Sequence, residues 1–270
     1  MAGAQIYDRK VINRSGYTLF LPRVATVADI LSSIVDPYTE SSIKLFPIGT
    51  IAQQGREFYS YCKAAATAIS TLGTPIQGAA RVHAEQDDDI VVGAAAAIGA
   101  YTVELTSTAN LDDDPNDDTD DFAGGWLIVN DAAGEGQLYQ IKSNEGFSGT
   151  ADATFTLFDP LTIALTTSSQ VGLVRAPGYR VIATAAPLTG PFMGVPLIAV
   201  TASYYFWAKF KGYVPGVATG SGGAVGDMAV VGETAAKFDD YDAATATQRV
   251  VGQFITPQAA DTESSIIDLF

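Results

Sequence analysis

The sequence predicts an all-β protein made of one or two small β-sandwich or barrel units with an extended, partly helical N-terminal arm. Three observations lead to this fold class. Gly and Pro supply 38 of the 270 residues, so turns are frequent. Phe and Tyr supply another 25, and aromatic residues favour strands. Beyond about residue 45, short apolar runs alternate with turn residues at close spacing, which is typical of all-β domains.

The arm is predicted over residues 1–45, where no clear strand alternation is visible. Residues 24–34 carry apolar side chains at helical spacing, and Thr26 is a suitable N-cap for two helical turns. Such a segment cannot form a core alone. We therefore expect either a docked arm or a segment that contacts a neighbouring molecule.

Strands are predicted from residue 46 onward. They lie at 56–64, 90–93, 100–105, 126–131, 137–143, 153–158, 171–176, 178–185, 203–214, 227–232, 247–255 and 265–270. A loose similarity between residues 55–64 and 204–212 suggests two β units. We predict a discontinuous β domain of residues 46–105 plus 196–270, and a second β domain, possibly inserted, at 106–195.

Charge and composition exclude several functions. Fifteen Lys and Arg against thirty Asp and Glu give a net charge of −15, which repels phosphate backbones and argues against nucleic-acid binding. The single cysteine excludes an internal disulfide, and the single histidine excludes most zinc sites. We predict that the protein is not an enzyme and uses no cofactor.

A membrane span is not predicted, although 28 uncharged residues separate Arg180 from Lys209. Pro187, Pro191 and Pro196 would break a helix repeatedly. We interpret the stretch as buried strands and their turns. The first residues lack the apolar run of a signal peptide.

The densest charge lies at residues 112–121, where seven carboxylates occur within ten positions. Oxygen ligands at this density are a weak Ca²⁺ candidate, but the spacing is not that of an EF-hand. A solvated acidic surface loop is the preferred interpretation. The candidate metal ligands are Asp112, Asp113, Asp114, Asp117, Asp118, Asp120 and Asp121.

Other reactive groups give no catalytic site. His83 has no identifiable serine partner, because no G-x-S-x-G motif is present. Cys62 lies in an aromatic strand beside Lys63, and a buried small hydrophobe is its default role. The glycine-rich residues 220–226 lack the Lys-Ser/Thr of a phosphate loop. The aromatic run at 204–213 is typical of core and interface packing rather than base or sugar stacking.

A series of strand-and-turn motifs carries a family resemblance. In order they are FPIGT, GREFYSYCKA, GGWLIVNDAAGEGQLYQIKSN, TLFDPLTIAL, PGYRVI, GVPLIAVTASYYFWAKFKGYVPGVA, VGDMAVV and RVVGQFI. Over residues 45–270 the chain resembles the head decoration, or cement, proteins of tailed bacteriophages and related virion structural proteins. These motifs contain no reactive residues to transfer.

The resemblance implies a non-enzymatic virion protein on the capsid exterior, made in the host cytoplasm. Its partners would be the major capsid protein and itself, as a homo-oligomer and most simply a trimer. Residues 1–45 would be the arm that contacts the capsid or a neighbouring copy. The alternative is a glycan- or receptor-binding head fibre or tail component. A carbohydrate-active enzyme on a β-sandwich ranks third.

Overall fold

A computed structural model describes residues 11–23, 25, 27–111, 119–147, 152–219, 223–257 and 263–270. Strands dominate its regular structure. In chain order they are β1 (Val11–Arg14), β2 (Tyr17–Phe20), β3 (Ile51–Gln54), β4 (Glu57–Lys63), β5 (Ile76–Gln77), β6 (Ile90–Val92), β7 (Thr102–Thr106), β8 (Trp126–Asp131), β9 (Leu138–Asn144), β10 (Asp152–Leu157), β11 (Gln170–Val174), β12 (Ile182–Ala183), β13 (Phe192–Pro196), β14 (Tyr205–Val217), β15 (Met228–Val231), β16 (Asp239–Asp240), β17 (Arg249–Phe254) and β18 (Ser264–Leu269). One helical turn, α1 (Glu85–Asp88), and a 3₁₀ turn (Val27–Asp29) accompany them. The all-β prediction is confirmed.

The chain divides into two compact units. Unit 1 comprises residues 1–79 and 177–270, and unit 2 comprises residues 80–176. These boundaries differ from the predicted ones at 105/106 and 195/196, because the pairing of the strands decides to which unit each strand belongs. Strands β6 and β7 pair with β11 and β10 inside unit 2, whereas β12 and β13 pair with β5 and β14 inside unit 1.

Unit 2 is a closed antiparallel barrel in the order β10-β7-β6-β11-β8-β9, with β9 returning to β10 among the described residues. The period-two alternation of its strands sends every second side chain inward. Val103 and Leu105 of β7, Leu127 of β8, Ile141 of β9 and Phe155 of β10 are all buried in one core.

Unit 1 contains one extended sheet, with the path β1-β2-β3-β4-β14-β18-β17-β15-β16. The thirteen-residue β14 joins its two parts. Tyr205–Lys211 of β14 pair with β4, and Gly212–Val217 pair with β18. The change of partner follows a β-bulge between Lys209 and Lys211.

The predicted N-terminal arm takes a different form from the one expected. Residues 11–20 form the β1–β2 hairpin, and β2 continues the sheet by pairing with β3. Ser15 and Gly16 at the turn both have positive φ, as a tight hairpin requires. Leu19 is fully buried in the core of unit 1. The segment is therefore part of this fold.

The predicted helix over 24–34 is also replaced by irregular structure. Among the residues described there, regular structure is confined to the three-residue 3₁₀ turn. Thr26, the predicted cap, lies outside the described residues. Leu31 and Ile34 are exposed whereas Ile30 packs against the core of unit 1, so these apolar side chains do not form one buried helical face.

Candidate functional site

Cys62 lies inside unit 1 and is not a reactive thiol. It is fully buried in β4, and its Sγ is 3.5 Å from the carbonyl oxygen of Ser60. Burial raises the pKa of the thiol to about 12, so it stays protonated at neutral pH.

His83 is exposed near the start of unit 2, and its Nδ1 accepts a hydrogen bond of 3.3 Å from the backbone N–H of Glu85. The Glu85 carboxylate accepts hydrogen bonds from Ser107 Oγ at 2.7 Å and from the Thr108 backbone N–H at 2.9 Å. Hydrogen bonds from Thr108 and Ser107 lower the pKa of Glu85. These hydrogen bonds anchor Ser107 and Thr108, which follow β7, to Glu85 at the start of α1.

The acidic tract is described only in part, since Asp112, Asp113, Asp114, Asp117 and Asp118 lie outside the described residues. Its last two residues have structural roles. The Asp120 carboxylate accepts the backbone N–H of Asn144 at 3.1 Å. Asp121 lies 3.6 Å from the Arg175 guanidinium, with both side chains buried.

For Asp121 the surface-loop prediction is therefore wrong. Arg175 also donates to the carbonyl of Leu111 at 3.0 Å and lies over the ring of Phe122, so the pair packs against two residues of the core of unit 2. Within the described part of the chain, no group of three or more His, Cys, Asp or Glu side chains is arranged to hold a metal ion.

The aromatic run predicted at 204–213 divides between interior and surface. Trp207 packs with Phe46 and Tyr61 at ring separations of 5.0 to 5.3 Å. Both Trp207 and Tyr61 are only 2% exposed, so they form no stacking platform. Tyr213 is exposed, and the Arg56 guanidinium lies over its ring.

A partly buried cluster of charged side chains lies where β14 changes its pairing partner from β4 to β18. Lys209 Nζ forms an ion pair with Glu57 and donates to the carbonyl of Tyr213 at 2.6 Å. Burial lowers the pKa of Lys209, and the charge of Arg56 lowers it further. Arg56 binds both carboxylate oxygens of Asp268, at 2.9 and 2.7 Å, which joins the β3–β4 turn to β18.

The feature of unit 1 that most resembles a contact surface is what we call the apolar segment, residues 31–43. Four large side chains on it are each more than 60% exposed, namely Leu31, Ile34, Tyr38 and Ile43. Together they present roughly 400–500 Å² of apolar surface. Exposure on this scale within one short segment is typical of an interaction site.

The backbone of the apolar segment is fastened to the sheet. The Glu40 carboxylate accepts hydrogen bonds from the backbone N–H and hydroxyl of Thr201, at 2.6 and 2.7 Å. Ser41 and Tyr205 exchange two backbone hydrogen bonds. Val35 is buried between the exposed positions. The exposed side chains are therefore held in place on a defined backbone.

Charge is divided very unequally between the two units. Unit 2 has three Lys and Arg against seventeen Asp and Glu, a net charge of −14. Unit 1 has twelve against thirteen, a net charge of −1. Unit 1 can thus approach another protein surface with little long-range repulsion, whereas unit 2 repels acidic surfaces.

Within the described residues, no helix has the length and apolar composition that a membrane-spanning segment needs. Comparison with protein-family models, with curated proteins and with solved structures gave no match to this chain. The apolar segment and the charge division were not found from the sequence. The signal for the segment was present in its sequence, since residues 31–43 carry the large side chains Leu31, Ile34, Tyr38 and Ile43 at a spacing that does not form a complete helical face.

Proposed function

We propose that this chain is a non-enzymatic structural virion protein that binds the outer surface of a phage capsid and stabilises the head. The observation that carries the proposal is the apolar segment of the nearly neutral unit 1. A decoration protein must bury apolar surface on a lattice while remaining well hydrated elsewhere. The strongly acidic unit 2 meets the second requirement, and the strand-and-turn resemblance of residues 45–270 agrees with the role.

In this proposal the partners are the major capsid protein and further copies of the chain, most simply in a trimer. The four exposed side chains supply about half of the roughly 800 Å² that each partner buries in a stable interface. Because the segment is already fastened to the sheet, little conformational entropy is lost when it binds.

A glycan- or receptor-binding head fibre or tail component is the second candidate. Trp126 in unit 2 favours it, because this indole is 38% exposed. Its direct cross-strand partners, however, are Val174 on β11 and Gln140 on β9, and the adjacent outward residue on β8 is Ile128. A sugar face needs several hydrogen-bonding groups beside the stacking ring, and of these three neighbours only Gln140 supplies one. This environment favours a protein partner.

Co-sedimentation with expanded capsid shells that lack the protein tests the proposal. We expect the wild-type chain to bind with a lattice-limited stoichiometry. The double variant Leu31→Ser/Ile34→Ser should bind at least tenfold more weakly, with an unchanged melting temperature, because both side chains are exposed. The matched control is Ile98→Ser/Ile163→Ser, which removes two exposed isoleucines from unit 2.

The outcomes separate two questions. Failure of the wild-type chain to bind any shell would remove the capsid proposal and leave the glycan candidate first. Equal binding by the wild type and by Leu31→Ser/Ile34→Ser would show that attachment uses another surface.

A further inference from the structure

The outward side chains of the barrel in unit 2 differ from strand to strand. On β7 and β10 the outward positions are all polar, namely Thr102, Glu104, Thr106, Asp152, Thr154 and Thr156. On β8, β9 and β11 they include four large apolar side chains, Trp126, Ile128, Leu138 and Val174. We call these four residues the apolar wall. An antiparallel sheet face that meets water is normally polar, as β7 and β10 are.

Strand register links the four residues of the apolar wall, and Gln140 on β9 lies beside Trp126 as a polar neighbour. Trp126 lies directly opposite Val174 across β8 and β11, and Ile128 lies directly opposite Leu138 across β8 and β9. Trp126 and Ile128 are two residues apart on one strand and share a face. Directly opposed residues on one face of a sheet are close enough for their side chains to touch. The four are 38 to 57% exposed, so the wall is accessible in the single chain.

The wall has a rigid backing. The inward neighbours of its residues, Leu127, Val129 and Leu173, are buried in the barrel core. The backbone N–H of Val129 and the carbonyl of Gln137 form a hydrogen bond of 2.9 Å beside the β8–β9 turn. A surface that is ordered before binding loses little entropy when a partner arrives.

Carboxylates lie in two segments next to the strands of the wall, the α1 turn and the β8–β9 turn. The Asn130 side chain donates to the carbonyl oxygen of Asp87 at 2.8 Å, which places the acidic α1 turn against β8. Asp88 and Asp89 follow on that turn and are exposed. Asp131 and Glu135 are exposed at the end of β8 and in the β8–β9 turn.

Two basic side chains lie near the same surface. Arg81 pairs with Asp87, and Lys142 lies two outward positions beyond Leu138 on β9. They do not balance the carboxylates, since two basic side chains face the five exposed acidic residues Asp87, Asp88, Asp89, Asp131 and Glu135. Two copies that met face to face through the wall would bring these carboxylates together, which disfavours a second copy as the occupant.

We propose that the apolar wall is a docking surface for another protein whose contact face has an apolar centre and a rim of Lys and Arg. The apolar centre would cover Trp126, Ile128, Leu138 and Val174, and the basic rim would pair with the α1 and β8–β9 carboxylates. This inference goes beyond capsid attachment through unit 1 and does not depend on it, because it concerns a different surface on a different unit.

The test uses two capped seven-residue peptides, one alternating Leu and Lys and the other alternating Leu and Glu. The full chain is titrated with each, and the fluorescence of Trp126 is followed; Trp207 is buried and responds little. We expect the Leu–Lys peptide to bind with a blue shift and to bind more weakly as NaCl rises. The Leu–Glu peptide should not bind.

The decisive variant is Ile128→Thr/Val174→Thr, which removes apolar surface while keeping β-branched residues in both strands. It should weaken binding of the Leu–Lys peptide about tenfold or more. Ile98→Thr, an exposed isoleucine outside these strands, is the matched control and should bind as the wild type does. Thermal melting confirms that each variant is folded.

Three outcomes would overturn the proposal: binding of neither peptide, equal binding of both, or unchanged binding by Ile128→Thr/Val174→Thr. Sedimentation equilibrium in about 0.15 M salt examines the second-copy alternative. A self-association that this double variant abolishes would assign the wall to another copy of the chain. An oligomer that persists in the variant uses other surfaces and agrees with the proposal.

Discussion

At the scale of single residues, the constraints of this protein come from contacts between distant parts of the chain. Asp121 is the clearest case. Its neighbours in sequence are acidic and predict a surface position, but Asp121 is buried beside the Arg175 guanidinium. The composition of the acidic tract could not show this, because Arg175 directly follows β11 and is far from Asp121 in the sequence. Cys62 behaved as its apolar surroundings indicated, since the strand around it packs into the core.

Gly212 illustrates a residue whose role is visible only in three dimensions. Its φ is +99°, and a Cβ at this position would lie 2.6 Å from Cδ of Glu57. The missing side chain therefore leaves room for the carboxylate that pairs with Lys209. Nothing in the residues around Gly212 distinguishes it from an ordinary strand glycine.

We expect Gly212→Ala to lower the free energy of unfolding by about 3 kcal/mol, through the positive φ and the displacement of Glu57. Gly55→Ala is the matched control. Its φ is +61° with nothing within 4 Å of a new Cβ, so only the backbone cost of about 1 kcal/mol applies. Urea unfolding of both variants measures the difference. Equal losses would show that the Glu57 position does not depend on Gly212.

At the scale of elements, the regular strands could be predicted and the N-terminal hairpin was missed. The predicted strands at 126–131 and 153–158 correspond closely to β8 and β10, because 126–129 is a run of four apolar residues after a Gly-Gly turn and 153–157 alternates apolar and Thr side chains. Strands β1 and β2 have only four residues each, too short for a period-two pattern to stand out. The Ser15-Gly16 turn between them was the available signal.

The hairpin gives a direct test of whether residues 1–45 are an accessory arm. Leu19 is fully buried, while Phe20, the next residue, is 37% exposed on the opposite face. We expect Leu19→Ala to lower the free energy of unfolding by about 3 kcal/mol and Phe20→Ala by less than about 1 kcal/mol. Denaturant unfolding of the full chain checks this.

If Leu19→Ala lowers the free energy of unfolding as little as Phe20→Ala does, residues 1–45 are a removable arm, as the sequence predicted. A large effect means that deleting residues 1–45 damages the core of unit 1. Capsid attachment should then be probed with exposed substitutions in the apolar segment rather than by truncation.

At the scale of the whole molecule, the sequence predicted two β units but placed their boundaries wrongly, because strand pairing across long separations decides which residues share a core. Locating the boundaries at 79/80 and 176/177 shows that nearly all of the net charge belongs to one unit. The overall value of −15 hides this division. A nearly neutral unit with an exposed apolar segment and an acidic unit with an apolar wall can serve different partners.

The division predicts how unit 2 behaves alone. Residues 80–176 are continuous in sequence and contain a closed barrel with its own core, so we expect this fragment to fold in one cooperative transition.

The net charge of −14 on this fragment opposes its compaction. Raising the ionic strength from about 0.01 to about 0.15 M shortens the screening length from about 30 to about 8 Å. The melting temperature should then rise by about 5 °C, which corresponds to about 1 kcal/mol for a domain of this size. In Asp88→Asn/Asp89→Asn/Glu135→Gln, which neutralises three exposed carboxylates, the rise should be smaller. A salt-independent melting temperature would mean that bound counterions or local ion pairs already offset the repulsion, and an unfolded fragment would mean that the barrel requires unit 1.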